Sequence, residues 1–258
     1  MSESRVLPYQ EVAPRIAGTL AGSIAVALVT AAIGWLLVRE TIWQTHHLLA
    51  SLVSFMILAG IVNFFWALEE NAGRFGEANQ ATLLRSGLVC LIGSTLLASG
   101  AAPYVGWPLI GLIAVALALD AVDGFLARRF NVSSAFGARF DMEIDALLLL
   151  ILSLLVWRTG QAGIWVLAIG LMRYAFVAAG WFQPFLNGPL GRSWRRKSIC
   201  ALQGIALLAC LLPPLDQTKA MIIAAGALTC LVVSFALDIR MLHRGRSSFG
   251  GINGTVTS

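Results

Sequence analysis

Residues 86 to 119 contain no charged side chain, and this run limits the possible folds more than any other feature. A helix needs roughly 20 consecutive apolar residues to cross the hydrocarbon core of a bilayer. Comparable runs occupy 17 to 38, 48 to 68, 146 to 157 and, apart from Lys197, 197 to 215. Of the 258 residues 58% are hydrophobic and 12% charged, a balance too oily for a water-soluble domain. Barrel strands would alternate apolar and polar residues over ten-residue segments, and no such alternation occurs. The expected fold is all-α, a polytopic transmembrane helical bundle.

Eight spans are predicted, near 17–38, 48–68, 81–99, 104–124, 137–157, 162–183, 197–214 and 219–241. The breaks between them have local causes. Ser99-Gly100-Ala101-Ala102-Pro103 separates the third from the fourth, and Pro213-Pro214 ends the seventh. The opening MSESRVLPYQEVAPRI lacks the pattern of a removable leader, so the first run is expected to stay as a span. Cys90, Cys200, Cys210 and Cys230 lie inside apolar runs without paired spacing, which suggests neither a disulfide framework nor a zinc site.

An even number of spans puts both termini on one side, so positive charge can be compared between alternate loops. One set holds Arg5, Arg15, Arg74, Arg128, Arg129, Arg192, Arg195, Arg196, Lys197, Arg240, Arg244 and Arg246; the other holds only Arg39, Arg158 and Lys219. This bias predicts that both termini and the 125–136 loop face the cytoplasm, as in the inner membrane of a bacterium. The net charge of +5 then reflects topology and anionic headgroups rather than nucleic acid.

Against this background, DAVDGFLARRFNVSSAFGARFDMEID at 120 to 145 gathers five of the thirteen acidic residues. Asp120 and Asp123, at i and i+3, share a helix face near the end of the fourth span. Asp141 and Asp145, at i and i+4, share one near the start of the fifth. A short loop between antiparallel neighbours would bring the pairs together at one depth. Four carboxylates in a partly dry place repel one another unless a cation sits between them. Hard divalent ions with oxygen ligands suit that role, Mg²⁺ above all, since it shares its shell with substrate phosphates. Glu143 falls on the opposite face and is left out, and Glu69 and Asp238 read as charges marking the interface. Gly124, Ala127 and Gly137 leave room for a bulky ligand near the backbone, and Arg128 has the fork to grip a phosphate.

The pattern D-x2-D-G-x2-A-R-x8-G-x3-D-x3-D, formed by Asp120, Asp123, Gly124, Ala127, Arg128, Gly137, Asp141 and Asp145, resembles the signature of the CDP-alcohol phosphatidyltransferases. Asn79-x2-Thr82-x2-Arg85 is similar to the N-x2-T-x2-R that opens the first core helix of that family, with Ala78 in place of its frequent proline. The resemblance implies a six-helix core over 71 to 245, two added helices within 1 to 70, and a flexible cytoplasmic tail from 246 to 258.

It further implies transfer of a phosphatidyl or related group from a CDP-linked lipid such as CDP-diacylglycerol to an alcohol, with release of CMP, and a homodimer. Asp120, Asp123, Asp141 and Asp145 would hold two Mg²⁺ or Mn²⁺ ions, and Asp145 would take the proton of the attacking hydroxyl. Thr82, Arg85, Gly124, Ala127, Arg128 and Gly137 would face the nucleotide donor. Arg173 and the cluster Arg192, Arg195, Arg196 and Lys197 are candidates for a phosphorylated acceptor. The stretch from Lys197 to Gln203 resembles, at a different spacing, the basic-to-glutamine segment of phosphatidylglycerophosphate synthases. Two rivals use similar carboxylates. A magnesium-dependent intramembrane prenyltransferase needs D-x2-D pairs but not Ala127-Arg128 followed by Gly137. A cation transporter would spread its carboxylates across the bilayer rather than gather them at one face.

Overall fold

The computed structural model describes residues 9–40, 43–69, 75–97, 105–130, 135–183 and 194–250. They form α1 (Tyr9–Glu40), α2 (Thr45–Leu68), α3 (Glu77–Ser94) with a 3-10 turn at Thr95–Leu97, and α4 (Trp107–Phe130). These are followed by α5 (Ala135–Arg158), a 3-10 turn at Ile164–Val166, α6 (Leu167–Phe182), α7 (Trp194–Cys210) and α8 (Gln217–Gly250). Among the described residues there is no strand, as the bilayer requires of a chain that must satisfy its backbone within each segment.

Helix ends follow local chemistry. Before α2, the Gln44 N–H donates to His47 Nδ1 at 3.2 Å. α5 closes in a Schellman motif, with Gly160 at φ 73°, its N–H donating to the Trp157 carbonyl and that of Gln161 to Val156. Only glycine enters this left-handed conformation without strain. α7 stops at Cys210, just ahead of Pro213-Pro214.

Among the described residues, five helical segments are long and apolar enough to span a bilayer: Gly18–Glu40, Thr45–Leu68, Asn79–Leu97, Ile164–Phe182 and Gln217–Met241. Trp107–Ala121 and Ser198–Cys210 are shorter apolar helices. α4, α5 and α7 are loaded with charge at one end. α4 and α5 carry the aspartates, and α7 carries Arg195, Arg196 and Lys197. The chain is thus a polytopic helical membrane protein.

Packing divides the chain into two compact units, residues 1–147 and 148–258, with the boundary inside α5. In the first unit α3 is central, packing against α1, α2 and α4. Its apolar window is 67% buried, against 22% for α1 and for α2. Leu20, Ile24, Leu28, Met56, Ile57, Phe64 and Phe65 point outward, as expected of side chains facing lipid. In the second unit α7 packs along α8, and Gln203, fully buried, donates to the Ala227 carbonyl at 3.0 Å.

α5 and α6 approach closely at Gly170. A Cβ there would lie 2.5 Å from Leu150 Cα and 2.6 Å from Ser153 Oγ, and a backbone neighbour cannot swing aside. Gly170→Ala is therefore expected to destabilise the protein by about 1–3 kcal/mol. Thermal unfolding in detergent should show the loss, whereas Gly111→Ala, which meets open space, leaves the midpoint near wild type.

Candidate active site

The motif converges around an arginine. Arg85 stands in the third turn of α3 and is 0% exposed. Its Nη1 donates to Asp120 Oδ1 of α4 at 2.6 Å. Its Nη2 donates to Asp141 Oδ1 of α5 at 2.7 Å and lies 2.9 Å from Asp145 Oδ1. The carboxylates keep one side open, with side-chain exposures of 34%, 38% and 24% for Asp120, Asp141 and Asp145. One oxygen from each of the three lies within 4.8 Å of the others.

A buried guanidinium is held in place only if carboxylates answer its charge, and three carboxylates so close need a cation among them. One positive charge against three negative ones leaves a surplus of two. That surplus, on hard oxygen donors partly open to solvent, fits a divalent cation such as Mg²⁺. Arg85 Nε is buried without a hydrogen-bond partner, so the site as described does not use all of the guanidinium's donors.

Arg85, which the resemblance implies faces the nucleotide donor, contacts the motif aspartates here. Thr82, one turn earlier on α3, is buried, as is Asn79. Gly137 is half-buried in the first turn of α5. Glu143 is exposed. Asp123, Gly124, Ala127 and Arg128 occupy helical positions in α4, but their side-chain environments lie outside the described residues. Arg192 lies outside them altogether, as do the side chains of Arg196 and Lys197.

Two features escape the spacing argument. Trp66, at the end of α2, meets Phe136 edge-on with ring centroids 5.2 Å apart, and Phe136 stacks toward Phe140 at 6.3 Å. α2 thus touches the aspartate end of α5. In the second unit, Asp238 of α8 is buried rather than a charge at the interface. It pairs with Arg195 Nη2 of α7, while Arg195 Nη1 donates to the Ser234 carbonyl at 3.0 Å. An acid near a helix end reads as an interface charge when its partner, 43 residues away, is not visible. Arg173 is half-buried on α6, in this same unit.

Residues 75–233, more than half of the chain, match the family model of the CDP-alcohol phosphatidyltransferases. A protein of Mycobacterium tuberculosis (strain CDC 1551 / Oshkosh) named probable phosphatidylglycerophosphate synthase is 29% identical over 196 residues, which cover 72% of this chain and 90% of that protein. Its namesake in strain ATCC 25618 / H37Rv matches to the same extent. No solved structure matches. Motif, helical architecture and family match agree: the chain belongs to the CDP-alcohol phosphatidyltransferases, membrane enzymes of phospholipid synthesis that move a group from a CDP-linked lipid to an alcohol.

Proposed function

We propose that the protein transfers the phosphatidyl group of CDP-diacylglycerol to glycerol 3-phosphate, releasing CMP. The observation that carries this reading is the gathering of Asp120, Asp141 and Asp145 within 4.8 Å, from the two helices of the motif. The choice of acceptor is supported by the name of the mycobacterial relatives and by the basic residues Arg173, Arg192, Arg196 and Lys197, while Arg195 is engaged by Asp238 and the Ser234 carbonyl. A phosphorylated alcohol suits such residues, because arginine forks bind phosphate bidentately.

In this reading Asp120, Asp123, Asp141 and Asp145 hold Mg²⁺ or Mn²⁺, with room in the motif for two ions. Bound there, the metal would neutralise the donor diphosphate and the charge on departing CMP. The hydroxyl oxygen of the acceptor forms a bond to the phosphatidyl phosphorus, and the bond from that phosphorus to CMP breaks with its electron pair leaving on CMP. Asp145, the deepest of the three carboxylates, takes the hydroxyl proton. Thr82, Gly124, Ala127, Arg128 and Gly137 line the donor side, and Arg85 balances the carboxylates there. Residues 71–245 form the catalytic core, with 1–70 as an addition and 246–258 as a tail. The positive-charge bias supports an active site and termini on the cytoplasmic face of a bacterial inner membrane, and the family resemblance supports a homodimer.

Purified protein given radiolabelled CDP-diacylglycerol, Mg²⁺ and a panel of acceptors tests the reading. CMP release is expected to require the metal and to be fastest with glycerol 3-phosphate. Preference for an unphosphorylated alcohol would overturn the acceptor assignment.

A further inference from the structure

Helices α1 and α2 precede the residues that match the family, 75–233, yet they pack directly behind the active site. α1 and α3 run parallel and interlock every four residues. A Cβ built on Gly22 would lie 3.9 Å from Leu83, and one on Gly34 3.2 Å from Leu91. Between these contacts, a Cβ on Gly87 would run into Thr30 Oγ1 and come within 3.1 Å of Val26 Cγ1. Thr30 and Val26 are themselves buried. Arg85 is two positions from both Leu83 and Gly87, a rotation of about 200° on a helix. The side of α3 opposite Arg85 is therefore the side that α1 fills.

α1 is tied down in turn. Asn63 of α2 donates to Ser23 Oγ of α1 at 3.1 Å and to the Ala59 carbonyl at 2.7 Å. The same helix reaches α5 through Trp66 and Phe136. One hairpin thus touches both the helix that carries Arg85 and the helix that carries Asp141 and Asp145.

We propose that the α1–α2 hairpin is a positioning element for the reaction, in which Thr30 and Val26, seated on Gly87, set the depth and rotation of α3 so that Arg85 meets the three aspartates. Gly87 is the positioning residue: any side chain there drives α3 away from α1 and shifts the guanidinium. The inference rests on the reading that these aspartates hold the metal. Arg85 and a divalent cation then compete for the same oxygens. Displacing Arg85 leaves more negative charge for a cation while spoiling the geometry for transfer.

The test uses the full-length protein with Gly87→Ala, Thr30→Ala and the double variant, measuring kcat, donor KM and Mn²⁺ binding by electron paramagnetic resonance without lipid donor. Gly87→Ala is expected to lower kcat roughly tenfold or more, with a smaller change in KM, since misplacement of a few tenths of an ångström acts on the reacting geometry. It should also tighten Mn²⁺ binding at least about threefold, because a guanidinium drawn back by that much holds the carboxylate oxygens less strongly against a competing cation. Thr30→Ala makes room for the new methyl, so the double variant should return both quantities to within about twofold of Thr30→Ala alone.

Gly34→Ala presses first on Leu48 of α2 and then on Leu91 of α3, nearly two turns from Arg85, and should lower the unfolding temperature without changing Mn²⁺ affinity. Where Gly87→Ala does not accumulate, Thr30→Leu presses on the same contact through a flexible end and carries the same expectations. Unchanged or weaker Mn²⁺ binding in the variant, failure of Thr30→Ala to rescue, or an equal Mn²⁺ effect in Gly34→Ala overturns the proposal. Wild-type protein whose Mn²⁺ binding is indifferent to Asp141→Asn would instead overturn the metal reading, and the kcat arm with its rescue still decides the positioning.

Discussion

Arg85→Met is expected to lower turnover at least about a hundredfold, because it removes a preorganised positive charge from the reaction site. The same change should make folding depend on metal. In the wild-type protein the guanidinium touches Asp120, Asp141 and Asp145. Methionine fills similar space without charge, leaving three carboxylates within 4.8 Å to repel one another. Removing one partner of a fully buried pair costs about 3–5 kcal/mol. These carboxylates keep partial contact with solvent, so the expected loss is about 2 kcal/mol. In chelator, the unfolding midpoint should fall by roughly 4–8 °C. Added Mg²⁺ should restore most of it, since a cation then supplies the missing charge and binds only the folded arrangement. An equal midpoint with and without metal would mean that the carboxylates do not form a cation site.

That metal rescue bears on a difference between reading along the chain and reading across it. Long apolar runs specify helices by length alone, so all eight expected spans have a helix at their centre. Spacings of three and four residues place side chains on one face, which is why Asp141 and Asp145 could be paired and Glu143 set aside. Both arguments are local. The partners of Arg85 lie 35 and 56 residues away, and helical periodicity carries no information about which face of α3 meets which neighbour. An arginine in a span demands an anion, and the donor phosphates and the motif aspartates answer that demand equally well on paper.

Asp238 shows the same limit from the other side, because its burial follows from the packing of α7 on α8. The role of α1 and α2 was invisible for a further reason. Outward leucines and phenylalanines satisfy lipid whether or not a helix does anything else. The contacts at Gly87 and Trp66 connect the hairpin to the site.

Asp145→Asn is expected to reduce turnover by about 10²–10⁴-fold at saturating Mg²⁺, the range of a lost general base. The three aspartates are not equivalent. Asp145 lies one turn beyond Asp141 on α5 and is the least exposed, at 24% against 38% for Asp141 and 34% for Asp120. A carboxylate deeper in the bundle is shielded from bulk water, so it can receive a proton from a bound hydroxyl without competition from solvent. The more open Asp141 is better placed to meet a hydrated cation arriving from outside. Asparagine keeps the size and one carbonyl oxygen of aspartate, so Arg85 retains Asp120 and Asp141 and the fold should survive. Asp141→Asn should therefore raise the Mg²⁺ concentration needed for half-maximal rate, and a large part of its activity should return when metal is added. The loss in Asp145→Asn should not respond to metal in that way. Metal titrations of CMP release for the two variants separate the cases: recovery of Asp145→Asn at high Mg²⁺ would make that residue a ligand alone and move the proton to another acceptor.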